Sequence, residues 1–135
     1  MTAERLLAKR FAALEAGDFA TVYATYHKDS PFTQQFSSRG TYVRYAEQNL
    51  SAIRVKNWCP LRQRQLDDKQ LEYLLVMELE VAGETKHFYE LALLINTSDG
   101  WRYHSAQKLT VEDYPGPPEQ IQFSHFDQVE QKIRY

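Results

Sequence analysis

Apolar and polar residues alternate along residues 71–107, which read LEYLLVMELEVAGETKHFYELALLINTSDGWRYHSAQ. A period of two is typical of strands that bury one face of a sheet. Gly83 and the Asp99-Gly100 pair are turn formers that interrupt this alternation. The pattern therefore predicts three long antiparallel strands joined by two tight turns.

The first turn determines which residues share a face. A two-residue turn with Gly83 in its first central position sets Leu79 opposite Phe88 and Met77 opposite Glu90. A three-residue loop would exchange the faces of the second strand, and the sequence leaves that alternative open. Under the first register, one face, which we expect to be concave and covered by helices, carries Tyr73, Leu75, Met77, Leu79, Phe88, Glu90, Ala92 and Leu94, and a four-residue second turn adds Tyr103, Ser105 and Gln107.

Residues before the strands repeat at helical spacing. Three helices are predicted: residues 3–16, which end at Gly17; residues 19–27, capped by Asp18; and a third helix from Thr41 to Ile53. A further strand over residues 55–66 contains Pro60, which lacks an N–H and indicates an edge position or a bulge. The predicted fold class is α+β, with three N-terminal helices packed on a curved four-stranded antiparallel sheet.

The chain is predicted to form one domain over residues 1–108, followed by a tail over residues 109–135. The tail begins with the proline-rich segment 114–118, which is incompatible with regular structure. Beyond it, Ser124 and Asp127 have the spacing of a capping box. A short C-terminal helix is predicted from the apolar spacing of Phe126, Val129 and Ile133.

Composition narrows the class of protein. The chain has 135 residues, enough for one compact domain. Lys and Arg total 16 against 18 Asp and Glu, so the chain lacks the excess of basic residues that is typical of nucleic-acid-binding proteins. We therefore expect no nucleic acid as a partner. No apolar run is long enough for a membrane span, and the single Cys59 cannot form an internal disulfide. These features favour a cytoplasmic protein.

Glu90 is the candidate for chemistry, because it is the one carboxylate in an otherwise apolar row. A carboxylate among Met77, Phe88 and Ala92 would lose water and become a potential general acid or base. The alternative is structural: Glu90 bonds a buried hydroxyl or a basic side chain such as Lys108 and holds helix and sheet together.

Other candidates share this face or approach it. Tyr103 is the predicted catalytic partner of Glu90, since a tyrosine and a carboxylate can act as donor and base. The predicted ligand-binding residues are Tyr26, His27, Tyr73, Met77 and Ser105. The histidines are isolated and no paired cysteines exist, so the sequence predicts no metal site and no cofactor.

The opposite, convex face is too apolar to be left in water. Its middle carries Leu74, Val76, Tyr89, Leu91, Leu93 and Ile95. An apolar patch of this kind is typical of an interface. We therefore expect a homodimer through the convex sheet face.

The order of three helices and a four-stranded curved sheet resembles the NTF2-like superfamily, with its cystatin-like α+β cone. Two stretches resemble the YchJ-like family: residues 10–27, from Arg10-Phe11-Ala12-Ala13-Leu14 to Thr25-Tyr26-His27, and the meander with Glu90 that ends in Gly100-Trp101-Arg102-Tyr103. That family pairs such a domain with a SEC-C zinc motif, which is absent here. The superfamily resemblance implies isomerases, dehydratases, cyclases or plain binding modules.

Three functions follow from these observations. The first is binding of a small apolar molecule by a homodimeric domain. The second is a small isomerase or dehydratase-type enzyme that uses Glu90 as acid or base in an apolar pocket. The third is a protein-interaction module that presents the C-terminal helix.

Overall fold

The computed structural model describes residues 2–127. Three N-terminal helices are followed by four strands and a short last helix. The helices are α1 (Ala3–Ala16), α2 (Phe19–Thr25), α3 (Arg39–Asn49) and α4 (Phe123–Asp127), with single 3-10 turns at Thr33–Gln35 and Pro118–Gln120. In the described part of the chain, no helix has the length and apolar character needed to cross a membrane.

The strands form one antiparallel sheet in the order of the chain. They are β1 (Ile53–Gln65), β2 (Gln70–Val81), β3 (Glu84–Thr97) and β4 (Gly100–Thr110). The predicted α+β class, with helices followed by a four-stranded antiparallel sheet, is confirmed.

The helices begin and end for local reasons. Thr2 caps α1 and Asp18 caps α2, each through a side-chain oxygen that accepts a backbone N–H. Gly17 ends α1 in the left-handed conformation, with φ of 71°. The prediction that the third helix reaches Ile53 is wrong, because α3 ends at Asn49 and the β-branched Ile53 already pairs in β1.

The first hairpin has the predicted two-residue turn, but its centre is Ala82-Gly83, with φ of 53° and 82°. Met77 therefore lies opposite Phe88, and Glu90 lies opposite Leu75 rather than Met77. The predicted register is wrong by two residues. Because side chains alternate with a period of two, this shift leaves the residues of β2 and β3 on their predicted faces.

A second irregularity changes faces in β4. Leu94 pairs with Tyr103, whereas Leu93 pairs with Ser105, so one extra residue is inserted between these pairs. This bulge exchanges the faces on which the side chains of the following β4 residues lie. Tyr103 keeps its predicted inner face, but the prediction for Ser105 and Gln107 is wrong, since both lie on the outer face.

β1 is an edge strand, as Pro60 indicated. Register shifts occur between Val55 and Asn57 and between Pro60 and Arg62. Bulges of this kind bend a strand and increase its twist. The prediction of an irregular first strand is confirmed.

Each face of the sheet has its own apolar cluster. The inner cluster joins the three N-terminal helices to the inner row of the sheet, and its sheet residues include Tyr73, Leu75, Met77, Ala92 and Leu94. The outer cluster joins the sheet to residues 109–127 through Leu74, Tyr89, Leu91, Leu109, Tyr114, Ile121 and Phe126.

The C-terminal segment, residues 111–127, thus covers part of the outer sheet face. Ile121 and Phe126 are fully buried there. The Gln107 side-chain amide donates to the Phe126 carbonyl, and the Arg62 guanidinium donates to the Ile121 carbonyl. The part of the predicted last helix from Val129 to Ile133 lies outside the described residues.

Candidate functional site

Glu90 lies in the middle of β3 on the inner face, and only 3% of the residue is exposed. It lines a cavity of about 220 Å³ between the helices and the sheet. The walls are mainly apolar and aromatic; they comprise Phe11, Leu14, Tyr26, Phe32, Tyr42, Tyr45, Leu50, Ile53, Val55, Met77, Leu79 and Tyr103. Arg10 and Lys108 are the cationic residues of the lining.

The Glu90 carboxylate is incompletely satisfied. Its Oε1 atom lies 4.0 Å from the Lys108 Nζ atom, a distance that allows attraction but no hydrogen bond. Its Oε2 atom is buried and has no hydrogen-bond partner among residues 2–127. An ionised carboxylate in such surroundings has a high desolvation cost unless it is paired.

Arg10 is the second charge at this site. It comes from α1, is 9% exposed, and donates to the Tyr26 hydroxyl at 3.0 Å and the Thr25 hydroxyl at 3.3 Å. Its guanidinium carbon lies 3.9 Å from the centre of the Tyr103 ring and 4.5 Å from that of Tyr26. Both contacts are cation–π interactions.

The protonation states follow from these contacts. Burial alone would lower the pKa of Arg10, but Tyr26, Tyr103 and Glu90 raise it overall, so Arg10 stays charged. Burial and the Glu90 carboxylate together raise the pKa of Tyr103 well above its ordinary value. Tyr103 therefore keeps its hydroxyl proton. Burial lowers the pKa of Lys108, and Glu90 acts in the opposite direction.

Of the residues predicted for the site, Glu90, Tyr103, Tyr26 and Met77 are brought together around this cavity. Tyr73 is on the predicted face but belongs to the buried core, where it is 5% exposed. The positions of the strand residues among these follow directly from the alternation, which the two-residue register error left intact, whereas Tyr26 is the C-cap residue of α2.

The other two predicted residues lie elsewhere. Ser105 is buried on the outer face, where its hydroxyl lies 3.0 Å from the His104 Nδ1 atom. His27 lines an open groove of about 500 Å³ outside the cavity, and its Nδ1 atom accepts the backbone N–H of Asp29. Tyr26 lines both spaces and so separates the groove from the cavity.

Sequence reasoning missed Arg10 as a site residue, although a signal was present. Arg10 lies three residues after Leu7 and four before Leu14, which places it on the apolar stripe of α1. A single arginine on an apolar helical face is a buried charge that requires partners. Lys108 entered the prediction only as a structural partner of Glu90.

The cavity combines a few polar groups with mainly apolar walls. Within residues 2–127, no three His, Cys, Asp or Glu side chains are grouped closely enough to hold a metal ion. The cavity has one carboxylate acceptor, a protonated tyrosine and the buried Arg10 guanidinium among mainly apolar walls, and the Lys108 side chain, which is 39% exposed, also lines it. Such a combination can orient a small molecule or transfer a proton.

Comparisons with known proteins identify the fold. A domain of unknown function with a cystatin-like fold, from Nostoc punctiforme, has a TM-score of 0.61 at 14% identity over 80% of this chain and 76% of that chain. A ketosteroid isomerase-like protein from Erwinia carotovora atroseptica also has a TM-score of 0.61 at 14% identity, over 80% of this chain and 92% of that chain. A protein from Catenulispora acidiphila has a TM-score of 0.55 at 16% identity over 81% and 88% of the two chains.

At these identities the comparisons show the fold alone. The chain has the cystatin-like fold of ketosteroid isomerase-like, or NTF2-like, proteins, as the superfamily resemblance predicted. No protein-family model matches the chain, and no curated protein matches it significantly in sequence. The narrower resemblance to the YchJ-like family is therefore unsupported and stays a prediction.

Proposed function

We propose that this protein binds a small, mostly apolar molecule in the cavity between the helices and the inner face of the sheet. The observation that supports this proposal most strongly is the buried Glu90 carboxylate, whose Oε2 atom has no partner among the described residues. A buried acceptor without a partner lowers the stability of the fold by about 1–3 kcal/mol, and by more when the acceptor is charged. A bound molecule that donates a hydrogen bond to Glu90 would recover part of that cost.

A thermal-shift screen tests binding. The Tm of three proteins would be measured with a panel of small metabolites: the wild type, Glu90→Gln and Glu78→Gln. A ligand at about 100 times its Kd stabilises the folded state by roughly 2.7 kcal/mol and therefore raises the Tm. Glu78 is the matched control, since it undergoes the same change on the outer face of the sheet, opposite His87.

The expected result is a ligand that raises the Tm of wild type and Glu78→Gln but raises that of Glu90→Gln much less. A panel without any stabilising compound, or one in which all three proteins respond equally, would contradict the proposal. If Glu90→Gln alone were strongly destabilised without ligand, Glu90 would have the structural role instead.

A second candidate function is an isomerase or dehydratase-type reaction, favoured by Tyr103 beside Glu90. Tyr103 stays protonated and lines the same cavity as the carboxylate. A Glu90 oxygen can accept a proton from the carbon next to a carbonyl, while a protonated hydroxyl stabilises the oxyanion that forms. The proton would return to the same or a neighbouring carbon, so no redox partner is required.

Proton exchange tests this chemistry directly. Small ketones and aldehydes incubated with the protein in D₂O should gain deuterium at the carbon next to the carbonyl, as followed by NMR. Glu90→Gln should abolish the exchange, and Tyr103→Phe should slow it by a factor of about 10²–10³. Binding without exchange in the wild type would exclude catalysis and leave the binding function standing.

We further propose that the protein forms a homodimer through the part of the outer sheet face that the C-terminal segment does not cover. Leu93 and Ile95 lie on that face and are half-buried in the single chain. Leu93→Arg should then shift sedimentation from dimer to monomer, whereas Lys86→Arg, on an exposed part of the same strand, should not. An unchanged dimer in Leu93→Arg would exclude this interface, as would a monomeric wild type.

A further inference from the structure

We infer that Tyr26 is a specificity-determining residue, whose ring closes the cavity where it meets the groove and keeps the buried part of the ligand to roughly nine non-hydrogen atoms. This inference rests on the proposed binding function and specifies a size class for the same site. It follows from the volume of the cavity, the position of Tyr26 and the contacts that hold its ring in place.

The cavity is small for a binding site, at about 220 Å³. An apolar cavity of about 150 Å³ holds benzene, and pockets for drug-sized ligands begin near about 300 Å³. By proportion to benzene, this cavity accommodates roughly nine non-hydrogen atoms. A larger ligand must therefore extend beyond the cavity.

The surroundings of the cavity offer such a ligand two spaces. One is the solvent at the cavity mouth, where the lining residues Tyr45 and Lys108 are 38% and 39% exposed. The other is the groove of about 500 Å³, whose walls include the aromatic residues Tyr23 and Phe36. Among residues 2–127, Tyr26 alone lines both the cavity and the groove. Its ring thus decides whether apolar parts of a ligand can be buried beyond the cavity.

The Tyr26 side chain is held at its backbone, its ring and its hydroxyl. The backbone of Tyr26 forms a bridge with Tyr103, and the next N–H, that of His27, donates to the Tyr103 carbonyl at 2.8 Å. The Tyr26 ring centre lies 5.4 Å from that of Tyr103 and 5.7 Å from that of Phe32, separations that are favourable for aromatic pairs. The hydroxyl accepts from Arg10 at 3.0 Å. Moving the ring aside would disrupt these contacts together, so we expect the closure to persist when a ligand binds.

A homologous series of probes measures the size limit. The straight-chain alcohols from 1-butanol to 1-decanol would be titrated into ¹⁵N-labelled protein, and the amide shifts of Met77 and Glu90 followed by NMR. The series keeps one hydroxyl group and varies only the length of the apolar chain. Each further CH₂ group that is buried should tighten binding about fourfold. In the wild type this gain should stop near 1-octanol, since longer chains extend through the mouth into water.

Variants assign the limit to the Tyr26 ring. In Tyr26→Ala the chain can enter the groove, so 1-decanol should bind about tenfold more tightly than 1-octanol. Tyr26→Phe keeps the ring and loses the hydroxyl contact with Arg10, and its limit should equal that of the wild type. Tyr23→Ala, the matched control, enlarges the groove without opening it to the cavity, so its limit should also stay unchanged. If Tyr26→Ala does not fold, Tyr26→Leu provides the shorter side chain.

The groove gives a second readout through the amides of Thr97 and Ser98, which line it. In the wild type, 1-decanol should shift the amides of Met77 and Glu90 but not those of Thr97 and Ser98. In Tyr26→Ala it should shift both sets. Shifts of both sets in the wild type would overturn the inference, whatever the folding of the variants.

The remaining outcomes separate this inference from the proposed function. A limit that is the same in the wild type and Tyr26→Ala, or one that also changes in Tyr26→Phe or Tyr23→Ala, would overturn the assignment to the Tyr26 ring and leave binding intact. An affinity that rises without a limit in the wild type would overturn the size class. If no alcohol of any length shifts the amides of Met77 and Glu90 in any of these proteins, the proposed function is wrong as well.

Discussion

Arg10 is the residue that organises the polar end of the cavity. It contacts the rings of both Tyr26 and Tyr103 and donates to the hydroxyls of Thr25 and Tyr26. Its positive charge also offsets part of the cost of burying Glu90 nearby. Helices and sheet are thus joined at this point by polar contacts as well as by apolar packing.

Replacing Arg10 should therefore destabilise the protein far more than replacing an exposed arginine. For Arg10→Met we expect a loss of about 3 kcal/mol in the free energy of unfolding, because hydrogen bonds from a charged donor contribute about 1.5–3 kcal/mol each and do not add fully. Arg5→Met, on the exposed side of the same helix, should change it by less than about 0.5 kcal/mol. Urea denaturation measures the free energy of unfolding of both variants. Equal values would show that Arg10 contributes no more to stability than an exposed arginine.

The sequence allowed Glu90, Tyr103 and Met77 to be predicted on one face because alternation determines the face of a strand residue regardless of small register errors. Tyr26 was predicted to approach that face from the second helix. The sequence did not allow Ser105 to be placed. One residue is inserted between the Leu94–Tyr103 and Leu93–Ser105 pairs, and it reverses the faces of the residues that follow it in β4. After Gly100 the sequence of β4 has no glycine or proline to mark that bulge.

At the scale of elements, the first hairpin contains a local conflict. Ala82 adopts a φ of 53°, a conformation that costs a non-glycine residue about 1 kcal/mol. Its turn has positive φ at both central residues, which favours Asn-Gly. The sequence prediction placed Gly83 in the first central position of the turn. The strand pairing evidently outweighs the local cost.

Relieving this conflict should stabilise the protein. We expect Ala82→Asn to raise the free energy of unfolding by about 0.5–1 kcal/mol, since asparagine tolerates positive φ better than alanine. Ala82→Val should lower it, because a β-branched residue is disfavoured there. Thermal unfolding of the two variants beside the wild type gives the comparison. A lower Tm for Ala82→Asn than for the wild type would contradict the assigned turn.

The cap of α2 gives a dependence on pH. Hydrogen bonds from the Thr21 hydroxyl and backbone N–H lower the pKa of Asp18 below its ordinary value. A carboxylate with a lowered pKa in the folded state stabilises the fold above its unfolded pKa, and this contribution disappears as the pH falls through the folded pKa. Asp18→Asn retains a capping oxygen but cannot titrate.

The difference in unfolding free energy between wild type and Asp18→Asn should therefore be constant at neutral pH and shift against the wild type below about pH 4, near the unfolded pKa of an aspartate. Denaturation at a series of pH values provides the measurement, and the same comparison for Asp99→Asn serves as the control. A difference that does not vary with pH would exclude a contribution from the charge of Asp18.

At the scale of the whole molecule, the sheet has apolar residues on both faces, and the chain covers them by different means. The N-terminal helices cover the inner face and enclose the cavity. The C-terminal segment covers Leu74, Tyr89 and Leu91 on the outer face. The sequence predicted that a second copy of the chain covers the outer face, including Leu74, Tyr89 and Leu91. The proline-rich start of the C-terminal segment carried no periodic signal that this segment would pack there.

We expect the C-terminal segment to contribute to the stability of the fold. Phe126 is fully buried against the sheet, so Phe126→Ala should lower the free energy of unfolding by about 3–5 kcal/mol. Val111→Ala is the control from the same segment, since Val111 is 47% exposed, and it should change stability by less than about 0.5 kcal/mol. Chemical denaturation of both variants measures the difference.

Sedimentation of the same variants connects the segment to self-association. If Phe126→Ala loosens the segment, Leu74, Tyr89 and Leu91 become accessible, and the variant should associate more strongly than the wild type because a larger apolar patch is exposed.

A segment that serves only to present α4 to another protein would behave differently. Phe126→Ala would then leave both stability and sedimentation unchanged while abolishing capture of that partner, and this result would favour the interaction-module function over a structural role for residues 111–127.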